Sequence, residues 1–238
     1  MSGTQLVLAM GCIVLGAAVQ ATIGFGSSLV SIPLLLLINP VLVPGPAVVA
    51  SMTVNLIGMR DGAKDADWKG IRWSSLGLVP GTLIAAWALS IFSGTALAAL
   101  SALGVLTAVG VSALGLRPRG HRRVLLAAGL FSGYLNTTAG VGGPPMALAY
   151  QDAPAKVLRS TLPAVFAAAT VLTIAILMQT GHLDTPDWRI GLILAPGGAI
   201  GYALAQLWVN RVHGEGLRVA VLVVSAASAL AALGRIVL

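Results

Sequence analysis

The residues able to do chemistry inside the apolar parts of this chain are neutral, and they gather at two places. Gln20-Ala21-Thr22-Ile23-Gly24-Phe25-Gly26-Ser27-Ser28 interrupts the first long apolar run. Asn136-Thr137-Thr138-Ala139-Gly140-Val141-Gly142-Gly143-Pro144-Pro145 interrupts another. Asn55 stands in the middle of a third run, beside Ser51 and Thr53. Glycine disfavours helix and tolerates unusual dihedrals, so each stretch predicts a break in an apolar helix. A break frees backbone N–H and C=O groups, which in hydrocarbon must find partners or line a cavity. The helix resuming after a break presents free N–H groups and about half a positive charge. Two such termini facing one another, ringed by hydroxyls and amides, suit a small oxyanion and hold it loosely enough to release it. The candidate solute-binding residues are therefore Gln20, Thr22, Gly24, Phe25, Gly26, Ser27 and Ser28 from the first break, Asn55, and Asn136, Thr137, Gly140, Gly142 and Gly143 from the second.

The same runs lack the parts of other chemistries. None of the seven acidic residues falls in an apolar run, and His121, His182 and His213 all lie between runs. A proton relay through membrane carboxylates, a His/Cys metal site and a Ser-His-Asp arrangement each miss their components. No catalytic residue, metal or cofactor is expected. An intramembrane hydrolase or lipid-phosphate enzyme on the same hairpin plan needs Glu, His or Arg at the tips, where this chain has none. A non-transporting scaffold is the other alternative. Plainer roles stand beside the site reading: single glycines as packing residues, Asn55 as a helix cross-link of about 0.6 kcal/mol, Pro33, Pro80 and Pro196 as kinks. Trp68, Trp73 and Trp188 read as interfacial anchors, and Phe25, expected exposed at a tip, as either a gate or a packing residue.

Composition sets the frame for these residues. Of 238 residues, 57% are hydrophobic and 9% charged, with a mean hydropathy of +0.94. A soluble domain carries about 25% charged residues, so the chain reads as an all-α polytopic membrane protein. Continuous apolar runs argue against a β-barrel, whose segments are short and alternating. The 29 glycines suit close helix packing in lipid. The formal charge of +7 follows from basic residues between apolar runs, a topology signal and not a nucleic-acid surface. Cys12 is alone and reads as a packing residue. The N-terminus has no basic n-region, so its first segment is expected to be retained.

The elements that must position the two breaks fall into two halves. Residues 1–116 read as a first repeat, with a broken-helix hairpin at 5–38 and spans at 47–59, 74–92 and 95–116. A basic connector follows at 117–123. Residues 124–238 read as the second, with a hairpin at 124–150 and spans at 161–178, 190–209 and 217–237. Gly24 and Gly140 are 116 residues apart, as are Pro80 and Pro196. Asp67-Trp68 and Asp187-Trp188 recur at an offset of 120. If the 60–72, 117–123, 151–159 and 210–218 loops face the cytoplasm, 12 of the 14 basic residues lie inside. The first hairpin then starts outside and the second inside, which makes the halves an inverted repeat of the kind secondary transporters use. The N-terminus is expected outside.

With the repeats in view, the chain resembles the sulfite exporter TauE/SafE family, also called the toluene sulfonate uptake permease family. The resemblance rests on Gly24-Phe25-Gly26-Ser27-Ser28-Leu29-Val30-Ser31-Ile32-Pro33 and on Gly140-Val141-Gly142-Gly143-Pro144-Pro145 after a basic midpoint. It implies a bacterial inner-membrane carrier that exports small sulfur-containing anions such as sulfite, organosulfonates or sulfoacetate. Family motif positions carry over to Gly24, Gly26, Pro33, Gly140, Gly142 and Gly143. Ser27-Ser28 and Pro144-Pro145 depart from it, standing where members often continue with glycine. The implied partners are a small anionic solute and the lipid bilayer, with no nucleic acid; a homo-oligomer is left open.

Overall fold

The computed structural model describes residues 2–91 and 121–209, with Leu106, Val223 and Ala227 besides. Apart from those single residues, the spans expected at 95–116 and 217–237 lie outside the described residues. Among the described residues there are eight α-helices and no strand. In chain order they are α1 (Gly3–Ile23), α2 (Ser27–Ile38), α3 (Gly45–Gly62), α4 (Trp68–Ile91), α5 (Arg122–Ala139), α6 (Gly143–Ala149), α7 (Ala155–Gln179) and α8 (Thr185–Gln206), with a 3-10 turn at Pro40–Leu42.

Helices α1, α4, α7 and α8 are long and apolar enough to cross a membrane, so the chain is a multi-pass membrane protein. Helices α3 and α5, 18 residues each, are less uniformly apolar. They are the helices carrying Ser51, Thr53 and Asn55, and Asn136 and Thr137. At about 1.5 Å per residue, α2 with 12 residues and α6 with 7 reach about 18 and 10 Å. Neither crosses about 30 Å of hydrocarbon alone.

Both helix breaks fall where the glycines stand. Helix α1 ends at Ile23, Gly24 and Gly26 adopt φ of 95° and 101°, and α2 starts at Ser27. Helix α5 ends at Ala139, with Gly140 at φ 69°. A residue with a Cβ pays about 1–2 kcal/mol in this left-handed region, so glycine lets the chain turn at these points. Helices run further into the charged loops than hydropathy indicates. Helix α4 begins at Trp68, inside the loop expected at 60–72, because Asp67 accepts the Gly70 N–H at 2.9 Å. Helix α8 begins at Thr185 behind an Asp184/Asp187 capping box. Side-chain caps satisfy the first N–H groups, so these helices continue beyond their lipid-facing lengths.

The hairpins are packed crosswise. Helix α5 lies against α4, and α1 lies against α8, while α3 packs on both α7 and α8. Small residues make the seams. Gly77 and Gly81 of α4 face the Leu126 and Leu130 carbonyls, and Gly129 and Gly133 of α5 face those of Ser74 and Leu78. Gly201 of α8 meets the Val14 carbonyl of α1 in the same way. Lipid offers no hydrophobic drive for helices to associate, so close backbone approach and dispersion hold such pairs. Pro33, Pro80 and Pro196 stand within continuous helices, as does Pro163 of α7.

The aromatic residues divide. Trp68 is 51% exposed and donates to the Ala63 carbonyl at 3.0 Å, as an interfacial residue does. Trp73 packs on the core and lies beneath the Arg122 guanidinium, 4.2 Å from the ring centre. Phe25 is not exposed at a tip: at 1% exposure it is among the most buried side chains, because the second break closes over it.

The seam predicts a sharp contrast between glycines. Gly81→Leu drives a side chain into the Leu130 backbone, whereas a Cβ at Gly11 meets nothing within 4 Å. Overpacking costs about 1–3 kcal/mol or more. Thermal unfolding in detergent should show Gly81→Leu strongly destabilised and Gly11→Leu unchanged; equal behaviour would refute the seam.

Candidate functional site

The two breaks touch. A Cβ built on Gly143 would lie 3.6 Å from Phe25 Cδ2 and 3.9 Å from the Gly26 amide nitrogen, and one on Gly140 would lie 2.6 Å from Ile32 Cδ1. Between them is a cavity of about 20 Å³ lined by Gln20, Gly26, Ser27, Ser28, Leu29, Ser51, Asn55, Asn136, Gly142, Gly143, Phe166 and Thr170. No ionisable side chain is among these residues. The volume holds about one water and is too small for an oxyanion with the walls as they stand.

Each break brings an amide four residues ahead of its glycine. Gln20 and Asn136 stand 116 apart, as Gly24 and Gly140 do. Their carbonyls accept the glycine N–H groups, Gly24 N to Gln20 O at 2.7 Å and Gly140 N to Asn136 O at 2.9 Å. Their side chains reach the next long helix of the same half. Gln20 Nε2 donates to Asn55 Oδ1 at 2.7 Å on α3. Asn136 Nδ2 donates to Thr173 Oγ1 at 2.8 Å on α7, and Thr137 and Thr173 hydroxyls meet at 3.0 Å. Asn55 Nδ2 then donates to Thr170 Oγ1 at 3.2 Å, joining α3 to α7. Asn55 is thus a cross-link between helices and a wall of the cavity at once.

The two breaks differ in what backbone they offer. Helix α2 has no side-chain cap at Gly26, and its first internal bond runs from Val30 N to Gly26 O at 3.1 Å. The N–H groups of Ser27, Ser28 and Leu29 precede that bond, are orphans of the helix start, and belong to cavity-lining residues. Helix α6 starts at Gly143, inside the second break, and has only seven residues. Pro144 and Pro145 occupy its first turn and carry no N–H. The facing pair of helix N-termini is therefore one N-terminus opposed by side-chain amides. The Gly142 carbonyl is itself occupied, accepting from Ser132 Oγ at 2.7 Å.

Eight of the residues singled out by sequence line this cavity: Gln20, Gly26, Ser27, Ser28, Asn55, Asn136, Gly142 and Gly143. The others support it. Gly24 packs on Leu158 and Arg159, Gly140 on Ile32, and Phe25 beneath Gly143. Thr22 donates to the Ala18 carbonyl and accepts from Trp208 Nε1 at 3.3 Å; Thr137 is fully buried against Thr173. Sequence reasoning missed Thr170, Thr173 and Phe166, which lie in an unbroken apolar run; the i,i+3 spacing of the two threonines on α7 was the available signal.

Replacing Asn55 by Leu leaves Gln20 and Thr170 without their partner in a buried setting. Each buried group left unsatisfied costs about 1–3 kcal/mol. A fall in detergent-measured thermal stability is expected for Asn55→Leu, and an unaltered melting temperature would mean the amide chain carries no structural load.

The model of the family described as sulfite exporter TauE/SafE matches residues 8–232 of the chain. No curated protein and no solved structure matches it. The matched family is one of membrane anion transporters, not enzymes. With 225 of its 238 residues inside that match, the chain belongs to the sulfite exporter TauE/SafE family.

Proposed function

We propose that this protein is a secondary carrier that exports a small sulfur-containing anion, sulfite or an organosulfonate of the sulfoacetate type, across the bacterial inner membrane. The observation that carries the proposal is the uncharged, donor-lined cavity where the two helix breaks meet. Its backbone N–H groups come from Ser27 and Ser28 and its amides from Gln20 and Asn136. Neutral donors stabilise an oxyanion by hydrogen bonds that are individually strong because one partner is charged. They impose no permanent counter-charge that would trap it.

The two halves are read as inverted repeats, each opening with a broken-helix hairpin, with the N-terminus outside. Support comes from the 116-residue offset that relates Gly24 to Gly140, Gln20 to Asn136 and Pro80 to Pro196. The crosswise packing of α1 on α8 and α5 on α4 supports it too, since these pairs exchange places when the halves are swapped. In alternating access, one half rocks against the other around a fixed site. An inside-negative potential favours outward movement of an anion by about 2.3 kcal/mol per charge per 100 mV. Export then needs no coupling ion and no membrane carboxylate, and the described helices bring none to the cavity.

Flux of radiolabelled sulfite in proteoliposomes tests the reading, with sulfoacetate, taurine and thiosulfate as competitors. Saturable flux that responds to an imposed potential is expected. Asn136→Asp places a negative charge on the cavity wall without changing side-chain size. It should cut anion flux by more than tenfold. Absence of saturable flux for labelled sulfite, sulfoacetate and thiosulfate alike, or undiminished flux in Asn136→Asp, would overturn the proposal.

A further inference from the structure

A second and larger space lies beside the first. This vestibule of about 250 Å³ is framed by the end of α3, the start of α7 and the end of α8, and its lining includes Asp61, Asp65, Lys156, Arg159, Tyr202 and Gln20. It opens at the end of the molecule where the basic 60–72 and 151–159 segments lie. The start of α3, at the other end of that helix, is closely packed. There Leu42 is fully buried, and the start of α3 packs on Leu183 and Asp187, with a Cβ on Gly45 lying 3.0 Å from Leu183 Cδ1.

Gln20 is common to both spaces. Its bond to Asn55 at 2.7 Å, continued by Asn55 to Thr170 at 3.2 Å, stands between the vestibule and the cavity at the breaks. The cations of the vestibule are not equivalent. Lys156 is paired with Asp65 at 3.0 Å, out where both side chains are exposed. Arg159 is half-buried and, among the described residues, its guanidinium meets no carboxylate within salt-bridge distance. Among the described residues it hydrogen-bonds from Nη1 to the Val209 carbonyl, at a long 3.4 Å. The backbone of Arg159 also rests on the first break, within 3.2 Å of where a Gly24 Cβ would lie. A guanidinium with donors left over among the described residues, lining a cavity that a hydrated oxyanion fits, is a recognition element for carboxylate-like and sulfonate-like groups.

We propose that the vestibule is a second anion station, in which Arg159 binds the anion by its charge and Gln20 is the partition the anion passes on its way to the cavity between the breaks. The proposal rests on the carrier reading for its direction of traffic, but its binding site is separate. Arg159 supplies the permanent charge that the inner cavity lacks. It concentrates anion at the mouth, while the neutral donors beyond Gln20 take the anion over without a deep trap. The neighbouring Asp61 and Asp65 limit the field, so that the anion leaves Arg159 again.

Binding of radiolabelled sulfite to purified protein in the Asn136→Asp background tests this, because that change disables the inner cavity and leaves the vestibule. Sulfite should still bind, more weakly as salt is raised. Adding Arg159→Gln should raise Kd by about tenfold or more, while Arg159→Lys, which keeps the charge, should retain most of the affinity. If Arg159→Gln is not recovered folded, protection of Lys156 from an amine reagent by sulfite gives the second readout, and protection is expected. Absence of binding in the Asn136→Asp protein, equal affinity with Gln or Arg at position 159, or no protection of Lys156 would overturn the station. Saturable wild-type flux alongside any of those results would leave the carrier standing. Arg159-dependent binding without wild-type flux would instead remove the carrier and keep the station.

Discussion

Hydrocarbon has no hydrogen bonds to give, and that constraint organises this molecule. A helix broken inside a membrane leaves amides and carbonyls that lipid cannot satisfy. Here each break is closed off by protein. Gly24 and Gly140 return their N–H groups to Gln20 and Asn136 of their own helices. Ser132 reaches the Gly142 carbonyl, and Ser31 donates to the Ser27 carbonyl at 2.8 Å. What is left over, the first N–H groups of α2, opens into the space the two breaks enclose. The same physics that forbids a break facing lipid turns a pair of breaks into a polar chamber.

Holding that chamber requires the long helices to come very close, and glycine makes the approach. The α4–α5 and α8–α1 seams bring backbone against backbone at Gly77, Gly81, Gly129, Gly133 and Gly201. Each seam joins one hairpin to the other half of the chain. The seams thus tie each hairpin to a long helix of the other half, so that in the proposed carrier any relative movement of these elements would alter the cavity at the breaks. The amide chain Gln20–Asn55–Thr170 spans α1, α3 and α7, and it must exchange partners whenever those helices separate. Hydrogen bonds of this kind in membranes are each worth only about 0.6 kcal/mol on average, weak enough to be broken repeatedly in the proposed transport cycle.

Much of this was legible in the sequence because glycine leaves a direct mark. The positive φ at Gly24, Gly26 and Gly140 is a property of residues without a Cβ, so both breaks fall within the glycine stretches that the sequence marks, although the helices resume at Ser27 and Gly143, a few residues later than hydropathy indicates. Helix ends were less legible. Trp68 and Thr185 start helices inside polar segments because Asp67 and Asp184 cap them, and hydropathy carries no record of a cap. Thr170 and Thr173 carried only the weak signal of their i,i+3 spacing: threonine is unremarkable in an apolar helix until tertiary packing aims it at Asn55 and Asn136. Nor does a count of glycines reveal that Pro144 and Pro145 take the donors away from α6 and leave α2 as the backbone donor. The vestibule depends on three helix ends meeting, which spacing along the chain does not encode.

In the proposed reading, neutral donors within and the Arg159 guanidinium at the mouth divide the work of holding an anion between a site that releases and a site that attracts. The most direct measurement of the central claim is an experimental structure determined with selenite, a heavier analogue of sulfite, read by its anomalous signal. The account predicts selenium between the two breaks, within hydrogen-bonding distance of the Ser27 and Ser28 amides and the Asn136 side chain. Selenium found only elsewhere, with the two breaks apart and each sealed against lipid by its own half, would contradict it.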